Sequence, residues 1–263
     1  MNILFIGDII GKTGRDVIKN KLQHFINKYD VDFVIANGEN VTHGKGLIYR
    51  HYLELMDLGV DVITLGNHYD SKYELKTFID DVDNIIRPAN LKSGTYPGVG
   101  TNVFYLDGYS IRVTNILGEA FMTKENITNH YLCLKEIVEE EEKADIHIVD
   151  FHGESTSEKQ IIGYVFDGHV SAILGTHTHV QTRDAKILNN GTAFICDTGM
   201  CGAYEGVIGW DKESVINKMV FGSNKNIVVA ESKEKIFNAV LLKIDETSGK
   251  CKEITTINHL YED

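Results

Sequence analysis

Short apolar runs alternate along this chain with amphipathic stripes. Asn2-Ile-Leu-Phe-Ile-Gly-Asp-Ile9 reads as a buried parallel strand that ends in Gly7-Asp8. From Thr13 to Lys28, Val17, Ile18, Leu22, Phe25 and Ile26 recur at helical spacing and form one apolar face. Val31–Ala36 is a second strand, ending in Asn37-Gly-Glu-Asn40. A helix is expected over Tyr49–Leu58, a third strand over Val60–Leu65 ending in Gly66-Asn67-His68, and a further helix over Lys72–Asp80. Strands that alternate with helices of this length predict a mostly parallel sheet with helices on its faces.

The middle of the chain changes character. Val103–Leu106 and Tyr109–Leu117, joined by Asp107-Gly108, read as a hairpin, which calls for a second sheet. Ile127–Glu141 is expected to be helical, and Ala144–Phe151 a strand ending in His152-Gly-Glu154. Val170–Leu174 is another strand. Ala185–Leu188 and Thr192–Cys196 flank Asn189-Asn-Gly191 as a second hairpin, and Lys235–Ile244 is a late strand. The simplest assembly is α/β: a two-sheet β-sandwich flanked by helices.

Composition narrows the class. With 263 residues, 43% apolar content, two prolines and no Pro-rich or Ser/Gly-rich linker, one domain over 1–263 is expected. A net charge of −12 argues against nonspecific binding to nucleic-acid backbones, so no stable nucleic-acid complex, and against anionic membranes. The run Glu139–Glu142 reads as a solvated helix end. A strand follows Met1 at once, without a basic n-region or a long apolar span, so a soluble, cytoplasmic protein is expected. Cys133, Cys196, Cys201 and Cys251 form no C-x-x-C pair and read as reduced, buried small hydrophobes.

The strand ends carry the chemistry. In open α/β sheets ligands bind beyond the carboxyl ends of the strands. Five such ends offer Asp8, Glu39 with Asn40, Asn67 with His68, His152, and His177 with His179. The last pair closes the stretch Ser171-Ala-Ile-Leu-Gly-Thr-His-Thr-His179; two residues apart in extended backbone, both imidazoles would fall on one side. Carboxylates, amide oxygens and imidazoles without thiolate suit Mn, Fe or Zn. The ligands exceed what one tetrahedral ion needs and fit two ions held about 3.5–4 Å apart, which clamp the attacking and leaving oxygens of a phosphoryl displacement. The glycines before the other four clusters, Gly7, Gly38, Gly66 and Gly175, fit a turn at positive φ or a close backbone approach, whereas Phe151 precedes His152.

Gly7-Asp8, Gly66-Asn67-His68 and Gly175-Thr-His-Thr-His179 resemble the blocks of the calcineurin-like metallophosphoesterases. Two departures from that superfamily, Ile10 in place of a first-block His and Gly38-Glu39-Asn40 in place of a bridging Asp, are similar to its YmdB-like bacterial phosphodiesterases. So are Arg87-Pro-Ala-Asn90, Asp150-Phe-His-Gly-Glu-Ser-Thr-Ser-Glu-Lys159 and Asp197-Thr-Gly-Met-Cys-Gly202; the likeness runs from residue 1 to about 245. Tyr69-Asp70 departs from the subfamily pattern, where one more residue precedes the aromatic.

The resemblance implies a four-layer α/β/β/α fold and hydrolysis of phosphodiesters, with 2′,3′-cyclic nucleotides as the leading substrate class. Asp8, Asn40 and His179 would hold one metal and Asn67, His152 and His177 the other. Glu39 would bridge, a metal-bridging hydroxide would attack, and His68 would be the general acid. The partner is then a small phosphodiester, and nothing in the reading precludes a homo-oligomer. Alternatives are a phosphomonoesterase using the same site or a metal-binding regulatory protein weak in catalysis. Gly7-Asp-Ile-Ile-Gly-Lys-Thr13 mimics an NTPase phosphate loop but has one residue too few between its glycines.

Overall fold

The structure, a computed structural model, describes residues 1–91, 96–122 and 127–262. Strand β1 (Asn2–Ile6) stops at Gly7, and β2 (Asp8–Ile9) leads into α1 (Gly11–Tyr29). Then follow β3 (Phe33–Asn37), α2 (Tyr49–Asp57), β4 (Val62–Thr64) and β5 (Ile85–Ile86). The hairpin β6 (Thr101–Leu106) and β7 (Tyr109–Leu117) precedes α3 (His130–Glu140), β8 (Ile146–His152), α4 (Thr156–Val165) and β9 (Ala172–Thr176). The chain closes with β10 (Lys186–Ile187), β11 (Ala193–Ile195), β12 (Met200–Ala203), α5 (Lys212–Met219), β13 (Glu234–Ile244) and β14 (Cys251–Glu262).

Among the described residues these strands make two sheets. The first runs β2-β12-β13-β1-β3-β4-β5, with β14 paired to β13; the second runs β10-β11-β9-β8-β7-β6. β1, β3 and β4 are mutually parallel, as are β7, β8 and β9. Alternation along β1 sets the layers: Ile3 and Phe5 pack with Ile148, Ala172 and Leu174 of the second sheet, whereas Leu4 and Ile6 pack with Val17, Ile18 and Leu22 of α1. On the far side, Val149, Phe151 and Ile173 bury against Leu134 of α3 and Ile162 of α4. The result is the expected α/β/β/α sandwich, with both sets of parallel strands ending at the same rim.

Several elements differ from the sequence reading. The strand expected over 2–9 breaks at Gly7, where a Cβ would collide with the carbonyl of Gly199; Asp8 pairs with Met200 of β12 instead. Lys72–Asp80 forms two 3₁₀ turns, Tyr73–Thr77 and Ile79–Asp81, rather than one helix. Lys72 supplies no side-chain cap, and the i, i+3 pair Leu75 and Phe78 is served by a three-residue turn, with the Phe78 ring against Tyr49 and Tyr52. α3 begins at His130, capped by the Asn129 side chain, because Ile127 is drawn into a bridge with Leu91.

The hydrophobic pattern does not foresee α4, α5, β12 or β14. Ser155 caps α4 by accepting from the Glu158 N–H, but the helix buries Glu158 and Lys159, so its polar sequence hides the buried face. In β14, Ile254, Ile257 and Leu260 recur every third residue, a spacing that masks a strand. All four cysteines are free, and Cys196, Cys201 and Cys251 are buried. Among the described residues no helix is long and apolar enough to cross a membrane.

Candidate metal centre

The carboxyl ends of β1, β3, β4, β8 and β9 deliver Asp8, Glu39, Asn40, Asn67, His152, His177 and His179 to one point between the two sheets. Asp8, Glu39, Asn40 and His152 are buried. His152 Nε2 lies 2.9 Å from Asn67 Oδ1, 3.2 Å from Glu39 Oε1 and 3.1 Å from His177 Nδ1. Glu39 Oε1 also faces Asn40 Nδ2 at 3.1 Å, and Asn40 Nδ2 lies 3.3 Å from both Asp8 Oδ1 and His179 Nε2. Glu39 therefore stands between a His152–His177–Asn67 group and an Asp8–Asn40–His179 group. Its second oxygen, Oε2, accepts the His68 backbone N–H at 2.8 Å.

Hydrogen bonds on the outer side of each ring fix which nitrogen faces inward. Thr176 Oγ1 donates to Asp150 Oδ1 at 2.6 Å, so it accepts the His152 Nδ1–H at 2.8 Å. A carboxylate oxygen of Glu154 lies 3.2 Å from His177 Nε2, and the carbonyl of Ile208 lies 2.9 Å from His179 Nδ1; both can only accept, so these nitrogens carry the protons. Burial drives the His152 pKa down to about 4 and that of His177 to about 3, which keeps both rings neutral. Burial also raises the Asp8 pKa, opposed by His179 and His152.

This arrangement tests whether a cation fits. The lone pairs of His152 Nε2, His177 Nδ1, Glu39 Oε1 and Asn67 Oδ1 meet with no proton among the four to share, and the donor that reaches them is Asn40 Nδ2, at 3.1 Å from Glu39 Oε1. Glu39, His152 and His177 each offer a ligand atom within 4.8 Å of the others. Convergent lone pairs with hydrogen-bonded outer sides are what a divalent ion requires. In the second group the amide nitrogen of Asn40 points at three acceptors, Asp8, Glu39 and His179; turning that amide over presents its oxygen to an ion on the same spot.

The backbone solution departs from the extended pair expected at 177 and 179. His177 has φ 105° and His179 φ 67°, so a turn, not strand alternation, brings both rings inward. Two N–H groups anchor that turn: His177 donates to Asp8 Oδ2 at 3.2 Å, and Thr178 to Asp197 Oδ2 at 2.9 Å. Asp197 is itself paired with buried Lys159 of α4 at 3.2 Å, whose Nζ also donates to the Thr176 carbonyl. The glycines before the clusters, by contrast, are absent from the positive-φ residues, and close approach explains them. A Cβ on Gly66 would come within 2.5 Å of His152 Nε2 and closer still to Glu39 Oε2.

His68 sits outside the lone-pair cluster. It lines a cavity of ≈ 400 Å³ together with Asn67, Asp70, Ser71, Phe121, Met122 and His177. Ser71 Oγ is 3.4 Å from His68 Nδ1. Lys12, the lysine of the phosphate-loop lookalike, is exposed and ion-paired with Asp16 at 3.1 Å. Sequence reasoning assigns no role to Asp150, Glu154, Lys159, Thr176 or Asp197, although all five lie in the stretches that carry the family resemblance. Nor does any local pattern announce the Ile208 carbonyl.

Comparison with known proteins agrees with this fold. A family model described as YmdB-like protein matches residues 4–257. The chain is 42% identical over 258 residues to the 2′,3′-cyclic-nucleotide 2′-phosphodiesterase of Bacillus subtilis (strain 168), covering 98% of this chain and 96% of that one. Its fold superimposes on a hypothetical protein from Thermus thermophilus with a TM-score of 0.91 at 35% identity, each chain covered in full at 100%. It superimposes on a novel phosphatase from Mycoplasma pneumoniae with a TM-score of 0.94 at 38% identity, covering 100% of this chain and 94% of that one.

Proposed function

The chain belongs to the YmdB-like protein family, and from that premise we propose that it is a metal-dependent phosphodiesterase acting on small substrates, with 2′,3′-cyclic nucleotides as the leading class. The observation that carries the reading is the convergence of potential ligand atoms of Glu39, His152 and His177 beside an open cavity lined by His68. Asp8, Asn40 and His179 would hold one ion, Asn67, His152 and His177 a second, and Glu39 would contribute to both. Such ions lower the pKa of a bound water and neutralise charge on phosphoryl oxygens; iron and manganese suit this donor set, and zinc is compatible with it.

The chain's own part is orientation and proton delivery. Thr176, Glu154 and the Ile208 carbonyl hold the imidazoles with their lone pairs inward. Glu39 fixes the backbone at His68. His68 follows Asn67 in the turn after β4 and lines the cavity without joining the Glu39–His152–His177 cluster, which supports a role as an acid and not as a ligand. His68 then hands its proton to the departing ribose oxygen as general acid.

The test is a substrate panel of 2′,3′- and 3′,5′-cyclic nucleotides, dinucleotides and monoesters with Mn²⁺ or Fe²⁺. Hydrolysis of the 2′,3′-cyclic compounds above the monoesters is expected; turnover of monoesters alone, or none with both ions bound, overturns the reading. His68→Ala should retain metal and lose about 10²–10⁴-fold in kcat. That loss should shrink for p-nitrophenyl esters, whose leaving oxygen needs little protonation. An equal loss for good and poor leaving groups removes His68 from the acid role.

A further inference from the structure

The cavity beside His68 has a mixed lining. The polar Asn67, His68, Asp70, Ser71 and His177 share it with the apolar Phe121 and Met122. Phe121 is 86% exposed, so folding gains almost nothing from burying its ring. Its φ of 62° lies in the left-handed region, which is unfavourable for a bulky side chain.

The backbone that carries Phe121 is nonetheless clamped. Glu158 Oε1 accepts the N–H groups of Glu119 at 2.9 Å and Ala120 at 3.3 Å. Glu119 Oε1 accepts from Asn129 Nδ2 at 2.9 Å and the His130 N–H at 3.0 Å, and lies 2.7 Å from His130 Nδ1. The Met122 N–H donates to the Glu119 carbonyl at 3.3 Å. Two carboxylates and an imidazole thus hold a strained, solvent-facing aromatic at the mouth of the candidate site. Strain of this kind persists where the surroundings over-determine it, and it gathers at ligand clamps.

Resting on the phosphodiesterase reading above, we propose that Phe121 is a specificity-determining residue: the platform on which the nucleobase of a nucleotide substrate stacks while its phosphate lies toward Asn67, His68 and His177. The cavity has the volume of a small-ligand site. Within it, Phe121 offers the flat apolar face that a heterocycle needs, and Met122 adds a polarisable edge. A phenyl face reads no hydrogen-bond pattern, so purines and pyrimidines are both accepted, with purines favoured by their larger stacking area.

The test compares wild type, Phe121→Ala and Phe121→Trp, all metal-loaded, on 2′,3′-cyclic AMP and on the base-free analogue 1-O-methylribose 2′,3′-cyclic phosphate. Loss of a stacked base predicts a KM for 2′,3′-cyclic AMP raised about 5- to 100-fold in Phe121→Ala with kcat nearly unchanged. Phe121→Trp should restore it, and the base-free substrate should respond to neither change. An equal effect on both substrates, or none on 2′,3′-cyclic AMP, overturns the platform. If wild type turns over both compounds with the same KM, the platform alone falls. If it turns over neither, the phosphodiesterase reading falls and takes the platform with it.

Discussion

Thr176→Val removes one hydroxyl from the chain His152 Nδ1–H to Thr176 Oγ1 to Asp150 Oδ1, whose links measure 2.8 Å and 2.6 Å. Valine keeps the shape and the β propensity of the strand end, so the change isolates the hydrogen bonds. His152, Thr176 and Asp150 are all fully buried, and water does not take over the lost contacts. The imidazole N–H is left unpaired, at a cost of about 1–3 kcal/mol. Asp150 loses one of three donors; Thr64 Oγ1 at 2.5 Å and Asn37 Nδ2 at 2.9 Å remain on its other oxygen, so its share is smaller. Burial already raises the Asp150 pKa to about 7 against those donors, and removing one raises it further. The sum is a destabilisation of about 2–4 kcal/mol, read as a lower urea midpoint of the metal-free protein at pH 7. With its outer nitrogen unpaired, His152 is no longer held with Nε2 inward, and metal affinity should fall about 10- to 100-fold in a chelator competition. A variant within about 0.5 kcal/mol of wild type and with unchanged affinity would refute the assignment of Thr176 as the hydroxyl that orients His152.

Two further outcomes follow from the same geometry. Glu154→Ala removes the acceptor 3.2 Å from His177 Nε2 and should weaken metal binding about 10-fold or more, with Glu154→Gln closer to wild type because its amide oxygen still accepts; equal affinity across the three proteins, measured on metal-free samples, would discard this role. His147, buried and 2.8 Å from Thr114 Oγ1, has its pKa pushed down to about 3 by burial and, secondarily, by Arg112. Between pH 6.5 and 3 the unfolded chain binds the extra proton, so this group leaves stability intact above pH 6.5 and erodes it as pH falls, by at most about 1.4 kcal/mol per unit. His147→Gln should flatten the stability curve between pH 6.5 and 4.5 by about 2–3 kcal/mol, and parallel curves for the two proteins would show that His147 is not the group responsible.

Much of this protein is legible in its sequence. Alternation in Asn2–Ile6 and the helical stripe of Val17, Ile18, Leu22 and Phe25 name their own elements, because burial on one face is a local, periodic demand. Asp107-Gly108 names its turn for a similar reason: both residues take positive φ, at 51° and 85°, as a tight hairpin requires. The donor types at five strand ends also name a chemistry, since lone-pair residues gathered beyond a parallel sheet have few other uses. Where polar residues are buried the pattern fails: α4 carries Glu158 and Lys159 inward, and β14 hides behind a three-residue spacing.

The candidate site divides along the same line. Sequence supplies the donors, but the partners that aim them are far away in the chain: Thr176 for His152, Ile208 for His179, Asp8 for the His177 N–H. It cannot foresee that His177 and His179 turn inward at positive φ, because that conformation is unfavourable locally and is held by Asp8 of β2 and Asp197 of the loop between β11 and β12. A hydrogen-bond partner fixed by long-range packing leaves no periodic trace, so the candidate donor atoms are legible in the sequence and their direction is decided only by the folded chain.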